Sequence, residues 1–331
     1  MRKIFLPLAI ICCSLISGAQ TPVPENFSIQ KLADGVYAAI AIVGGHAVSN
    51  SGIVDLGDAT LIFDSFYSPE AAEDLKKTAE QLTGHPVKYV VNSHFHDDHI
   101  QGNQVFEGAE IISTTKTRSL IEENEPATIE DDKKEAADAL KKWQNKTVSA
   151  NDAHAMAEKK MWIAYYEAIV QALPTLTMIL PNVTFSDSME IHGSKRAIQL
   201  ISYGAGHTPS DLFMYLPAEH IAFLGDLLFI QNQPWLGDGD VKNWMQTLDE
   251  ISKMNVNVLV PGHGPVGDTS SIRTMRQYIQ VVNQTAQSYI DKKISPENDS
   301  LLKSPPPYDR WMLSAFFVPN VIGMYESMMK Q

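Results

Sequence analysis

The sequence predicts an α/β fold in which two β-sheets face each other, helices lie outside them, and functional side chains gather at one edge of the pair. Short apolar runs bounded by turn residues alternate with stretches of helical periodicity along most of the 331 residues. Two of these runs end alike, Val87–Val91 leading into Asn92-Ser93-His94 and Val256–Val260 into Pro261-Gly262-His263. There is no sequence repeat, so the rhyme is one of architecture: strands, a helix, then a buried strand delivering histidine at its C-terminal end. At 44% hydrophobic and 20% charged, the composition is globular, and the length allows one large domain or two ordinary ones.

The N-terminus reads as a secretory signal peptide. Met1-Arg2-Lys3 is basic, Ile4–Ile16 is apolar, and Ser17-Gly18-Ala19 ends in small residues suited to cleavage. Cleavage is expected after Ala19, so that residues 1–19 are a leader and 20–331 the mature domain, periplasmic or secreted. The apolar run is short for a bilayer span. Cys12 and Cys13 both leave with the leader, and Ile11 before Cys12 fits a lipidation signal poorly. The mature chain then has no disulfide, thiolate ligand or thiol nucleophile. Losing Arg2 and Lys3 makes the formal net charge of −13 more negative still. That charge repels nucleic acid and anionic lipid, leaving a small molecule or peptide as the expected partner.

Residues 20–30 read as a tail. Gly35–Val43, Ile53–Leu56 and Thr60–Phe63 read as strands, with Gly44-Gly45-His46 a turn or flap and Gly57-Asp58 a turn. Ser68-Pro69-Glu70 supplies the N-cap, first-turn proline and first-turn acid of a helix that Gly84 closes. Val87–Val91 and Glu110–Ser113 follow as strands. Residues 115–175 are rich in Glu, Lys, Ala and Gln, with Ala136, Leu140 and Trp143 at helical spacing. They predict a helical insertion of two or three helices. Its aromatics Trp143, Trp162, Tyr165 and Tyr166 form either a lid over a cleft or, as most helical stripes do, an anchor to the body. Strands resume at Met189–Ile191, Ala197–Ser202, Leu212–Leu216 and Ile221–Leu224. A helix over Val241–Lys253, the strand Val256–Val260 and a long helix over Ser270–Lys292 come next. Beyond Pro305-Pro306-Pro307, the apolar segment Trp311–Met329 is expected to cover a face of the body rather than to contact a membrane.

The chemistry concentrates in His94-Phe95-His96-Asp97-Asp98-His99. On an extended loop, side chains two apart point the same way, so His94 and His96 can grip one ion while Asp98 and His99 reach toward a second. Imidazole nitrogen with carboxylate oxygen is the ligand set of catalytic zinc. The alternative is a solvated loop with a chance cluster of histidines. Three further strand ends each add one ligand: His207 in Gly204-Ala205-Gly206-His207, Asp226 in Leu224-Gly225-Asp226, and His263 in Pro261-Gly262-His263-Gly264. Glycines there let the backbone turn sharply. His46, His85, His154, His192 and His220 have no such context and read as surface or supporting residues, with His46 on the flap the one to follow.

In this order, the motif and its three partners resemble the metallo-β-lactamase superfamily of αββα hydrolases, over roughly residues 35–115 and 180–270. The resemblance implies a four-layer αββα sandwich carrying the helical insertion. It implies two Zn²⁺, with Fe or Mn as alternatives: one ion held by His94, His96 and His207, the other by Asp98, His99 and His263, and Asp226 bridging. Related diiron proteins place a carboxylate where His96 stands, so imidazole there favours zinc. Asp64 fits the family's structural aspartate, and Asn50-Ser51-Gly52 its turn beside the site. The implied mechanism uses a metal-bridging hydroxide as nucleophile, oriented by Asp98.

Asp226 is the bridging choice of glyoxalase II-like thioesterases, lactonases and phosphodiesterases, where true β-lactamases often carry Cys or Ser. Export argues against a cytosolic glutathione thioester, and acidity against RNA. Phe229 stands where quorum-signal lactonases usually carry tyrosine. The expectation is a hydrolase opening a cyclic amide or ester, β-lactam-like. Lactone, thioester or phosphoester hydrolysis is the alternative, and a non-catalytic metal-dependent binding or redox-accessory role is a reading of another class. Trp235 and the helices of 115–175 are the candidate walls of the substrate pocket.

Overall fold

The structure is a computed structural model that describes residues 24–330, so the signal peptide expected over 1–19 lies outside the described residues. Seven strands form the first sheet in chain order: β1 (Phe27–Ala33), β2 (Val36–Ala41), β3 (Ser51–Asp55), β4 (Thr60–Phe63), β5 (Val87–Val91), β6 (Glu110–Thr114) and β7 (Val183–Phe185). The first four pair antiparallel, as hairpin-rich sequence requires, and β4 through β7 pair parallel. The second sheet holds β8 (Ser188–His192), β9 (Ala197–Gly204), β10 (Asp211–Leu216), β11 (Ile221–Phe223) and β12 (Val258–Val260) in chain order across its width. Its one parallel pair is β11 with β12.

Alternation of side chains along each strand builds the layers. Leu61 and Phe63 of β4 turn to the seam between the sheets, and Ile62 turns to the helix α1 (Pro69–Thr83). In β10, Leu212, Met214 and Leu216 face the seam while Phe213 and Tyr215 face the opposite side. Phe63 and Phe223 meet across the seam with ring centroids 6.1 Å apart. Outside the second sheet lie α5 (Val241–Lys253), α6 (Thr269–Lys292) and α7 (Phe317–Met329), whose Trp244, Tyr278 and Phe317 share a core with Phe213. Helix, sheet, sheet, helix is the four-layer αββα sandwich that the resemblance implies.

Local signals act where they were expected. The Ser68 side chain accepts from the Ala71 amide and Gly84 closes α1 in the left-handed region at φ 75°. The insertion is two helices, α3 (Thr115–Asn145) and α4 (Ala153–Ala172), packed on each other and on Tyr67. Trp311, Phe317 and Val321 bury against the helical face of the second sheet, so the C-terminal segment covers the body. Among the described residues, no helix is long and apolar enough to cross a membrane.

One expectation is corrected. The end of the tail read at 20–30, from Phe27 on, belongs to strand β1, which pairs with β2 from Phe27↔Ala41 onward. The strand lies at the sheet edge with Ser28, Gln30 and Lys31 exposed, so its sequence lacks the apolar alternation of an inner strand.

Candidate metal centre

Strand β5 runs through Asn92 and Ser93 into His94, and the chain stays extended to His96 at φ −67° and ψ 144°. It then turns into the four-residue helix α2 (Asp97–Ile100). The extended loop expected over the whole motif therefore stops at His96, and a helical turn presents Asp98 and His99, the His99 ring lying 4.3 Å from that of His94. His207 comes from the β9–β10 connection, Asp226 from the turn after β11, and His263 from the turn after β12. Because β11 and β12 are parallel neighbours, their C-terminal ends bring Asp226 and His263 together.

All seven predicted ligand residues converge, in two groups. The donor atoms of His94, His96, His207 and Asp226 lie within 4.8 Å of one another, as do those of Asp98, His99 and His263. Asp226 touches both. Its Oδ2 is 3.3 Å from His207 Nε2 and 3.8 Å from His94 Nε2, while its Oδ1 is 3.1 Å from His99 Nε2 and 3.5 Å from His263 Nε2. Asp98 Oδ2 stands 3.2 Å from His263 Nε2 and 3.5 Å from His99 Nε2. Three of these atoms, His94 Nε2, His99 Nε2 and Asp226 Oδ1, are buried without an aligned hydrogen-bond partner. Native interiors leave few polar atoms so placed, and a divalent cation among them would satisfy all three. The donor set fits two zinc ions.

The outer nitrogen of each of four imidazoles is engaged, which orients the ring and turns its other nitrogen inward. Asp64 Oδ2 pairs with His99 Nδ1 at 2.8 Å and also accepts from Ser93 Oγ at 2.8 Å, the position expected of a structural aspartate. Ser93 Oγ reaches His94 Nδ1 at 2.9 Å, the Trp235 carbonyl accepts from His207 Nδ1 at 3.1 Å, and Asp238 Oδ2 meets His96 Nε2 at 3.1 Å. Asn50 staples the root of the flap to the His263 loop by donating to the Pro261 and Gly264 carbonyls.

Burial and neighbouring charge divide the site. Burial pushes His94 far down and His207 down to about 3, keeping both neutral. For His263 burial opposes protonation, but Asp226 and Asp98 outweigh it and push the group up to about 9. Burial likewise opposes ionisation of Asp226 and Asp98, yet His263 and His99 hold both carboxyls below the ordinary range. The carboxylates are thus ready-made anionic donors.

The centre opens into a cavity of about 690 Å³ lined by Trp235, as expected, and by Trp162, Tyr165 and Tyr166 of α4. Trp143 stands behind this wall, stacked on Trp162 at 5.6 Å and 14°. The insertion therefore both packs on the body and faces the site. Sequence reasoning missed Asp238 and the wall residues Met312, Leu313 and Phe316. A pair of acids in Gly237-Asp238-Gly239-Asp240 was the available signal for Asp238; nothing local marks the other three. His46 is not in the cavity lining and lies 4.0 Å from Glu70.

Comparison with known proteins agrees with this geometry. A metallo-β-lactamase type 2 of Bacteroides fragilis is 32% identical over 114 residues, 33% of this chain and 45% of that protein. A linear primary-alkylsulfatase of a Pseudomonas species is 20% identical over 256 residues, 74% of this chain and 48% of that protein. The matched region thus spans about half the length of each of these relatives. In three dimensions, a metallo-beta-lactamase from Pontibacter korlensis superposes with a TM-score of 0.56 at 21% identity, covering 76% of this chain and 98% of that one, which is a likeness of fold. The profile of the metallo-beta-lactamase superfamily matches residues 44–263, the span that contains all seven converging donors. The chain belongs to the metallo-beta-lactamase superfamily.

Proposed function

We propose that the protein is an exported, zinc-dependent hydrolase that opens a cyclic amide or ester. The observation that supports this furthest is Asp226, with one oxygen beside each group of donors, its own Oδ1 and the nearby His94 Nε2 and His99 Nε2 being buried without a partner. His94, His96 and His207 would hold one ion, Asp98, His99 and His263 the other, and Asp226 both. Zinc bound there supplies a Lewis acid for the scissile carbonyl and lowers the pKa of water toward neutrality.

The remaining roles belong to the chain. Asp98 lines the cavity and turns Oδ2 toward His99 and His263, leaving Oδ1 to orient the attacking water and take its proton. Asp64, Ser93, Asp238 and the Trp235 carbonyl hold four imidazoles in the tautomers that donation inward requires. The aromatic wall keeps bulk water from the reacting bond. The relatives are named for a β-lactamase and an alkylsulfatase activity, which supports hydrolysis and leaves the bond type to experiment.

The test is metal analysis of the purified chain combined with assays on nitrocefin, a homoserine lactone, a thioester and a bis-phenyl phosphate. Two zinc ions per chain and turnover of an amide or ester, abolished by chelator and restored by zinc, are expected. Two bound zincs with no turnover of any substrate would replace the hydrolase with a binding protein.

A further inference from the structure

We infer that the substrate is uncharged away from its reacting bond and presents there a long aliphatic or an aromatic group. The kinetic part of this inference rests on the hydrolase reading; the binding part does not.

The cavity has no fixed positive side chain to receive an anion. Among the described residues, its lining contains no lysine or arginine, and its basic groups are the imidazoles of the donor groups. Lys160 lies against Gly44 of the flap, but its side chain is exposed and does not line the cavity. Asp97 lines it too, beside Asp98 and Asp226, and brings no positive charge. The remaining polar side chains, Asn50, Gln231 and Asn232, are neutral. A substrate carboxylate held against these walls, away from the donor groups, would lose hydration with no lysine or arginine of the lining to pair with it.

An apolar group, by contrast, meets a continuous surface. Trp235 packs on Phe316 at 5.6 Å, Phe316 on Trp162 at 5.8 Å, and Trp162 on Tyr165 at 5.6 Å. This chain of rings starts beside the metal centre, since the Trp235 indole donates to Asp238 at 2.8 Å and Asp238 meets His96. At the edge of the flap, Ile42 and Val43 line the same cavity with 41% and 43% of their surface exposed, an apolar pair open to the cavity.

The aromatic wall is also held in place. Buried Glu158 of α4 accepts from the Ser314 amide at 3.1 Å, the Ser314 hydroxyl at 3.2 Å and the Trp162 indole at 3.3 Å. It ties the insertion to the C-terminal segment at the point where each contributes a ring. Leu313 and Gln231, both in the lining, take left-handed φ of 59° and 55°, a conformation that non-glycine residues keep only when their surroundings impose it. A β-lactam with a carboxylate beside its amide is a poor match to these walls. A neutral lactone or ester with an alkyl or aryl arm matches them. Hydrolysis of such a substrate puts the oxygen of water on the acyl carbon, breaks the carbon–oxygen bond and returns a proton to the leaving alkoxide, with no further reactant.

The zinc-loaded full chain is assayed on p-nitrophenyl acetate, butyrate and octanoate, and on the mono-p-nitrophenyl ester of suberic acid, the anionic twin of the octanoate. Binding of octanamide and of suberamic acid is followed in parallel by tryptophan fluorescence. We expect kcat/KM to rise at least about tenfold from acetate to octanoate and to fall at least about tenfold for the anionic twin. Octanamide should bind and suberamic acid should not. Val43→Lys places a cation on an exposed flap position, outside the donor groups. It should raise kcat/KM for the anionic twin about fivefold or more relative to that for the octanoate. Equal use of octanoate and its twin, no dependence on chain length, or no discrimination between the two amides overturns the inference. If no ester turns over while octanamide alone binds, the hydrolase reading fails and the pocket inference stands.

Discussion

Asp64 contributes no atom to either donor group, yet three of its contacts decide where the group around His99 sits. It accepts hydrogen bonds from His99 Nδ1, from the Ser93 amide at 2.7 Å and from the Ser93 hydroxyl, and Ser93 in turn orients His94. Asp64→Asn keeps the shape but exchanges an acceptor for a donor. Zinc affinity measured by competition with a chelator should fall by about 10–100-fold, with the larger loss at the ion that His99 would hold. A second buried acid acts on stability rather than on metal. Burial raises Glu125 from 4.5 to about 7; the hydrogen bond from Gln101 opposes the shift and the nearby Asp132 adds to it. The unfolded chain releases this proton near pH 4.5 and the folded chain holds it to about pH 7, so folding stability drops across that window and stays low above it. Glu125→Gln should therefore stabilise the metal-free chain by roughly 2–3 kcal/mol at pH 8 and by about zero at pH 4. Urea denaturation at the two pH values measures the difference; an equal effect at both would sink it.

At the scale of elements, the turn after β12 is a close joint between the two turns that carry Asp226 and His263. Gly262 donates to the Gly225 carbonyl at 2.7 Å and the Leu228 carbonyl at 3.1 Å, locking this turn to the one that carries Asp226. A Cβ on Gly262 would overlap Asp226 Oδ1 and the Gly225 backbone, so only glycine lets the two turns approach. Gly262→Ala should cost bound zinc, measured by elemental analysis, and lower activity at least about 100-fold while leaving the far-ultraviolet dichroism of the sandwich in place. Retention of both ions by this variant would show that the turns are not coupled. The elements most legible in the sequence were those with local punctuation, such as α1 between Ser68 and Gly84. Strand β1 was not legible, because an exposed edge strand needs a partner strand, not an apolar pattern, to exist.

For the whole molecule, the donor groups are a cross-brace: β5 of the first sheet, β11 and β12 of the second, and the β9–β10 connection all deliver donors there. Cations bound to the folded chain alone add their binding free energy to stability. Stripping zinc with a strong chelator should lower Tm by roughly 5–15 °C, reversed by excess zinc. A Tm indifferent to metal would mean that the donors are set by the fold alone. The sequence by itself determined the seven donor residues, the alternation that makes two sheets, and the helical nature of residues 115–175. The alternation and the helical character follow from residue type and spacing over a few positions, whereas the donor set was legible through the His94–His99 motif and the family resemblance that it carries with the three later strand ends. Only the tertiary structure decided that Asp226 gives one oxygen to each group, that Asp238 backs His96 across 142 positions, and that Glu158 joins the insertion to the C-terminal segment to wall the cavity. Those pairings come from chain crossings distant in sequence, and their energy resides in contacts that no local pattern encodes.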